Sequence, residues 1–202
     1  MELHNFMNIL EIATNRKTSR FFKPDKVKEE DIKYILETAR QAPSGSNKQP
    51  WRFIIITSLE QKKEIRAASE KGEKIFYESL SDEKKEWYVE RGLSPRKKLL
   101  TQAPILIIFL GDTTAPNYKP SIWVSIAYAI LAIEERGLAT VTYTPSNPIH
   151  VNKIVEAPTN YIVEAILPIG YSCDSKPKEK RIDLSKLTYQ NKWGNPYKFD
   201  LF

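Results

Sequence analysis

The spacing of apolar positions divides the chain into alternating helical and extended segments. Phe6, Ile9, Leu10 and Ala13 recur at helical intervals and predict a helix over residues 6–14. Ile32, Ile35, Leu36 and Ala39 repeat the pattern over 29–41. That helix opens on Glu29, Glu30 and Asp31, acidic residues suited to the positive end of its dipole. The unbroken apolar run Phe53-Ile54-Ile55-Ile56 predicts a buried strand near 52–57, and Ser58 caps a helix running to about residue 70. Residues 71–100 scatter Phe76, Tyr77, Leu80, Trp87, Tyr88 and Val89 among many Lys and Glu. They read as two short helices, broken at Ser81 and at Gly92-Leu93-Ser94-Pro95. These aromatics either pack beneath a solvated face or line a pocket as part of a mobile lid. Residues 105–110, Ile-Leu-Ile-Ile-Phe-Leu, have the continuous apolar character of a strand covered on both faces.

A Pro-rich loop over 113–120 leads to a helix over 121–136 that is apolar nearly all round, with Ile122, Trp123, Ile126, Ala127, Ile130, Leu131 and Ile133. A helix without a polar face belongs in a core or in a subunit interface. Gly137 ends it as a C-terminal cap would. A strand over 139–143, a turn at Thr144-Pro145-Ser146-Asn147-Pro148, a helix over 149–156 and a strand over 161–169 follow. From Ser172 the chain turns to Lys, Pro and Asp with little periodicity, yet it carries Trp193, Tyr197, Phe199 and Phe202. Aromatics in such a tail argue that it docks on a surface. Buried strands between helices give a layered α/β or α+β fold, expected as one domain over 1–202.

Composition narrows the chemistry. The 202 residues suit one core, and 41% hydrophobic with 28% charged residues is ordinary globular usage. A single cysteine, Cys173, excludes an internal disulfide framework, and with only His4 and His150 beside it a zinc site or a Cys-His pair is not expected. The apolar runs are too short and interrupted to span a bilayer. The N-terminus lacks the order of basic leader, apolar core and small-residue cleavage site. A cytoplasmic protein is the expectation. The net charge of +6 points to an anionic partner: a phosphate-bearing cofactor, nucleic acid or an acidic surface. Acidic residues are mixed through the basic segments and no nucleic-acid motif appears, so a nucleic-acid module is the weaker reading.

Two stretches carry candidate chemistry. Arg16-Lys17-Thr18-Ser19-Arg20 places three cations around two hydroxyls directly after a helix, a composition suited to a phosphate. Ala42-Pro43-Ser44-Gly45-Ser46-Asn47-Lys48-Gln49-Pro50-Trp51 joins a helix to a strand, where sites tend to sit. Its prolines stiffen both ends, Gly45 permits positive φ or close approach to a ligand, and its amides and hydroxyls can read the edge of a heteroaromatic ring. Each stretch also has a bland reading, as a solvated basic turn and as a polar connection.

The second stretch resembles the A-P-S-x-x-N-x-Q-P-W segment of the nitroreductase family of FMN-dependent oxidoreductases. Further resemblance follows in the family's order at Arg16 to Phe21, Gln102 to Ile107, Gly137-Leu138-Ala139-Thr140, Leu167-Pro168-Ile169-Gly170-Tyr171 and the basic tail around Arg181. The resemblance implies a mostly antiparallel central sheet flanked by helices, with 171–202 as a domain-swapped extension wrapping a partner subunit. It implies bound FMN, with NADH or NADPH as electron donor and a nitroaromatic, quinone or similar small-molecule acceptor. Reductive dehalogenation or ring oxidation on the same flavin site is the alternative, and a non-enzymatic basic binding protein lies further off. By the same resemblance Arg16, Lys17, Thr18 and Arg20, with Lys180 or Arg181, hold the phosphate and ribityl chain. Asn47 meets the flavin ring edge, with Pro43, Ser44 and Ser46 nearby. In many members a backbone N–H in the turn after the third strand donates to the reactive flavin nitrogen; here Pro145 has no N–H and Ser146 is the substitute donor. No side chain is needed for covalent catalysis and no metal is implied. The all-round apolar helix and the aromatic tail add the expectation of a homodimer with FMN at the interface, touching both chains.

Overall fold

The computed structural model describes residues 8–199; Phe6 of the first helical stripe, His4 and Phe202 lie outside the described residues. Four strands form one sheet in the order β1-β2-β4-β3: β1 (Trp51–Ile56), β2 (Ile105–Asp112), β3 (Ala139–Thr140) and β4 (Tyr161–Gly170). Every named pairing is antiparallel. Seven helices surround the sheet among the described residues: α1 (Ile9–Asn15), α2 (Glu29–Arg40), α3 (Leu59–Glu78), α4 (Asp82–Glu90), α5 (Leu99–Gln102), α6 (Tyr118–Glu135) and α7 (Pro148–Ile154).

The alternation of side chains along β2 divides the core. Ile105, Ile107 and Phe109 face α2 and α6, packing with Ile35, Ala39, Ile122, Ile126, Ala129 and Ile133. Leu106, Ile108 and Leu110 face the other layer, with Ile65 of α3, Leu100 of α5 and Val151 of α7. Both faces are covered, as the continuous apolar run predicts. On β4 the register slips opposite Phe109 and Leu110, so Glu164 has no directly paired partner and the facing parity changes. Val163 and Ile166 therefore join one core layer while Ala165 and Leu167 join the other. The slip turns the Glu164 carboxylate toward α6, where it accepts from Trp123 Nε1 at 3.2 Å.

Three expectations need correction. β1 is an edge strand with only its two ends buried, and Ile55 is 42% exposed, because only β2 covers it. α3 continues to Glu78 instead of stopping near 70, so what read as a separate helix after 71 is its last two turns. Within it Gly72 is a point of close approach: a Cβ there would lie 3.3 Å from Asn147 at the start of α7. The third strand is cut to two residues, with Tyr143 reaching β4 through a single bridge to Ile166. Gly137 does cap α6, at φ +67, with its N–H on Glu134 O and that of Leu138 on Ile133 O.

α6 is buried along Ile122, Ile126, Ala129 and Ile133, whereas Trp123, Ala127 and Tyr128 stand outward. Within one chain the helix thus buries one side and offers a second apolar side to its surroundings. The tail beyond 182 lies largely exposed, Trp193 at 87%. No helix among the described residues is long and apolar enough to cross a membrane.

Candidate functional site

The basic segment sits at one end of the sheet. Thr18 bridges Thr140 of β3, and Ser19 N–H donates to Thr140 O at 3.0 Å. This anchoring turns alternate side chains outward. Lys17, Thr18 and Arg20 line an open cleft of about 1060 Å³ together with Trp87, Arg91 and tail residues 176–181, which include Lys180 and Arg181. Ser19 points inward, fully buried, sharing a 2.7 Å hydrogen bond with Ser172 Oγ. Of the two hydroxyls in the five-residue segment, only Thr18 is therefore available to a ligand.

The tail is strapped across this segment. Lys17 Nζ donates to Asp174 O at 2.6 Å and to Lys176 O at 2.8 Å. The buried Asp174 carboxylate accepts from the backbone N–H groups of Arg20 and Lys176, each at 3.0 Å. Burial pushes the Asp174 carboxyl up, but those two N–H donors and the charges of Lys17 and Arg20 outweigh it and hold the group below its ordinary range. Lys178 Nζ donates to Ala13 O and Thr14 O at the C-terminal end of α1, both at 2.7 Å. Arg16 is half-buried and does not line the cleft; its charge acts on Glu134 and on Lys178, which does line it. Burial, then Arg181 and Arg16, lower the Lys178 pKa, the electrostatic mark of cations crowded around a space.

Arg20 and Leu93 also line a second cavity of about 520 Å³, so the two spaces adjoin. This second cavity is walled by Glu73, Phe76, Tyr77, Tyr88, Lys97 and the turn Val141 to Ser146, including Pro145. Glu73 was not singled out from sequence. It is 5% exposed and gathers Tyr143 Oη at 3.1 Å, Ser146 Oγ at 2.7 Å and Lys97 Nζ at 3.0 Å. Ser146 N–H also points to Glu73, at 3.4 Å. Both Ser146 donors thus have an internal acceptor, so Ser146 does not stand free as the substitute N–H donor expected beside Pro145. Burial first, and the Glu73 charge next, push the Tyr143 hydroxyl up; the same causes with Tyr88 push Tyr77 up to about 12. Both hydroxyls are consequently protonated donors at neutral pH. The aromatics of 71–100 form one cluster: Tyr77, Phe76, Trp87 and Tyr88 meet edge to face at 5.1–6.1 Å.

The loop after α2 is elsewhere. Pro50 O accepts from Asp112 N–H at 2.8 Å, which fixes the loop at the Asp112 end of β2. Thr18 sits by Thr140, which pairs Ile169, which in turn lies beside Ile105 at the opposite end of β2. An eight-residue strand spans roughly 25 Å, so a single chain does not bring Pro43, Ser44, Ser46 and Asn47 onto the cleft that holds Lys17, Thr18, Arg20, Pro145, Ser146, Lys180 and Arg181. The loop is nonetheless built firmly. Ser44 Oγ accepts from Gln49 N–H at 2.9 Å, and Gly45 N–H donates to Ser121 Oγ at 3.2 Å. Positive φ falls on Ser46, Asn47 and Gln49, not on Gly45. Gly45 serves close packing instead: a Cβ would lie 3.3 Å from Pro116 O. Three non-glycine residues in this region carry strain of order 1 kcal/mol or more each, a pattern that clusters at functional sites. Asn47 is exposed, and its side chain makes no hydrogen bond among the described residues.

With this geometry in hand, known proteins supply the context. Residues 13–171 match the nitroreductase family. The chain is 42% identical over 173 residues to the iodotyrosine deiodinase of Thermotoga neapolitana, covering 86% of this chain and 93% of that protein. A second iodotyrosine deiodinase, from Haliscomenobacter hydrossis, is 32% identical over 86% of this chain and 80% of its own. Among solved structures, oxidized iodotyrosine deiodinase bound to FMN and 3-iodo-L-tyrosine superposes with a TM-score of 0.83 at 41% identity, over 87% of this chain and 96% of that one. A nitroreductase with bound FMN from Desulfitobacterium hafniense gives 0.74 at 25% identity, over 92% of this chain and 100% of that one. The match over most of its length, joined to the antiparallel sheet and the basic cleft at its edge, makes this chain a member of the nitroreductase family.

Proposed function

We propose that the protein is an FMN-dependent oxidoreductase that removes halogen reductively from a halogenated aromatic amino acid of the iodotyrosine type. The observation that carries this reading is the 42% identity to an iodotyrosine deiodinase across 86% of the chain. The nitroaromatic or quinone reading, with NADH or NADPH as donor, becomes the second. It is supported by the more distant FMN-bound nitroreductase.

The chain's residues fit the cofactor. The crowded cations at Lys17, Arg20, Lys178 and Arg181, with the Thr18 hydroxyl, suit a phosphate monoester at the large cleft. When bound in its reduced form, the flavin would supply the electron pair that, with a proton, converts carbon–halogen to carbon–hydrogen and releases halide, leaving the flavin oxidised. Asn47 offers both a donor and an acceptor to a ring edge, but from the far end of the sheet. A second copy of the chain supplies the missing half: α6's outward face with Trp123, Ala127 and Tyr128 needs cover, and the exposed aromatic tail needs a surface. We therefore read the unit as a homodimer in which each flavin site takes its cradle from one chain and its loop from the partner.

The second cavity fits the amino-acid part of such a substrate. Glu73 and Lys97 form an ion pair with side chains only 7% and 13% exposed. A ligand with one charge would leave one partner buried and unpaired, a loss of several kcal/mol. A zwitterion carries an ammonium for Glu73 and a carboxylate for Lys97, so exchange conserves charge. The Tyr77 and Tyr143 rings, 5.5 and 5.6 Å from Lys97 Nζ, flank the pair. The aromatic cluster around Tyr88 can then exclude water over the substrate.

The test is to purify the protein, measure its flavin spectrum, and mix the dithionite-reduced form with 3-iodo-L-tyrosine. Stoichiometric iodide release with flavin reoxidation is expected. No iodide, alongside NAD(P)H-driven turnover of a nitroaromatic, would overturn this reading in favour of the second.

A further inference from the structure

Helix α4 is attached to the body by its C-terminal end. It has no buried residue of its own. It finishes in a tight turn, with Gly92 N–H on Val89 O at 2.8 Å, Leu93 N–H on Tyr88 O at 2.9 Å, and Gly92 at φ +65. Arg91 O, at the negative end of the helix dipole, accepts from Lys176 Nζ at 3.3 Å. Lys176 belongs to the tail strap, whose carbonyls are held by Lys17 and whose Asp174 binds the Arg20 N–H. The Arg91 guanidinium in turn lies 3.9 Å over the Trp87 ring, and both residues face the basic cleft.

An ammonium has three N–H donors, and Arg91 O takes one. Lys176 lines the same cleft as Lys17, Arg20 and Arg181, so its remaining donors are placed to meet an oxyanion there. We propose that Lys176 is a positioning residue coupling the two sites: a phosphate monoester in the cleft and helix α4 share its ammonium, so that each holds the other in place. The ordering entropy of the long side chain is lost once and serves both contacts, which makes the coupling positive. By reciprocity, whatever closes α4 over the second cavity tightens the phosphate by the same factor. This coupling rests on the reading of the cleft as the phosphate end of a flavin site.

Amide hydrogen exchange over residues 82–93 in the full-length protein tests it, with FMN and with riboflavin, which lacks the phosphate. In wild type and Lys176→Arg, saturating FMN should slow exchange about fivefold or more, the low end of ordinary coupling, and riboflavin should not. In Lys176→Met, FMN still binds through the other cations but slows exchange less than about twofold. Lys176 is exposed, and an unchanged thermal midpoint checks that the Met variant folds. Wild-type protection in Lys176→Met at matched FMN saturation, or equal protection by riboflavin, would overturn the coupling. FMN that fails to bind wild type at all would overturn the flavin reading itself, and the coupling with it.

Discussion

The basic cradle and the polar loop after α2 were assigned from sequence to the same cofactor, yet the chain builds them in opposite ways. The cradle is finished within one chain: its own tail crosses it, Asp174 and Lys17 clamp the crossing, and the side chains left over face a common space. The loop is finished in its backbone only. Ser44, Ser121 and Pro116 fix its path, three residues hold positive φ, and the Asn47 side chain is left exposed. On the proposed reading, a strained backbone that presents an exposed amide takes its contact from a second chain. The lesson is that one candidate half of a site can be closed by its own chain while the other is left open to solvent.

Separating the chains should break both halves at once and have the largest effect. Ala127 stands outward on α6 in a region otherwise apolar, so Ala127→Arg should give a monomer by sedimentation that has lost flavin altogether. A dimeric, flavin-loaded Ala127→Arg protein would contradict this. Next is the cradle. Lys17 makes two backbone hydrogen bonds and faces the cleft. Lys17→Met should weaken FMN about 30-fold by calorimetry, since the one N–H donor not committed to the tail can make a single charge-assisted bond to the phosphate worth roughly 2 kcal/mol, and riboflavin much less. Equal losses for both ligands would detach Lys17 from the phosphate. Smaller again is the loop. Asn47→Ala should leave the thermal midpoint unchanged while weakening FMN or slowing its reduction about tenfold, the value of about one good polar contact.

The smallest effect is a pH dependence confined to the cradle. The Asp174 carboxyl is lowered in the folded chain, so its contribution is fully present above the unfolded value near 3.9 and is lost as pH falls through the lower folded value. Above about pH 5 FMN retention should follow only the phosphate's own second ionisation at about pH 6, and in stronger acid it should drop a further few-fold. Asp174→Asn should bind more weakly throughout and lose that acid step. An acid step that persists in Asp174→Asn would place it on another group.

Much of the fold was legible because apolar spacing reports burial directly. The continuous run of β2 and the existence of helix α6 were read correctly, and Gly137 ended α6 as its φ requires. What failed were features set by distant partners. The apolar run of β1 resembles that of β2, but sheet order places it at an edge, and no local pattern encodes order. The continuation of α3 past residue 70 was likewise hidden, because Gly72 there lets α7 approach α3. The cradle was legible in part. Lys17, Thr18 and Arg20 face the cleft, but Ser19 turns inward because a bridge at Thr18 fixes alternation. Glu73, Lys97 and Asp174 went unnoticed, since each is a charged residue among many and gains its meaning only from burial beside a partner in a different segment. The four-residue step from Glu73 to Tyr77, one helical face, was the one local signal available.

The two-chain construction of the site can be tested most directly by complementation. One chain carries Lys17→Met with Arg20→Ala, the other carries Asn47→Ala with Ser46→Ala, and tandem tags isolate the mixed dimer after co-expression. Each variant alone should bind flavin poorly. If cradle and loop meet across the two-fold, one site of the mixed dimer receives both defects and the other receives none. The account predicts one tightly bound flavin per mixed dimer, with wild-type affinity at that site. A mixed dimer that binds no flavin tightly would mean that each chain completes its own site, and would contradict it.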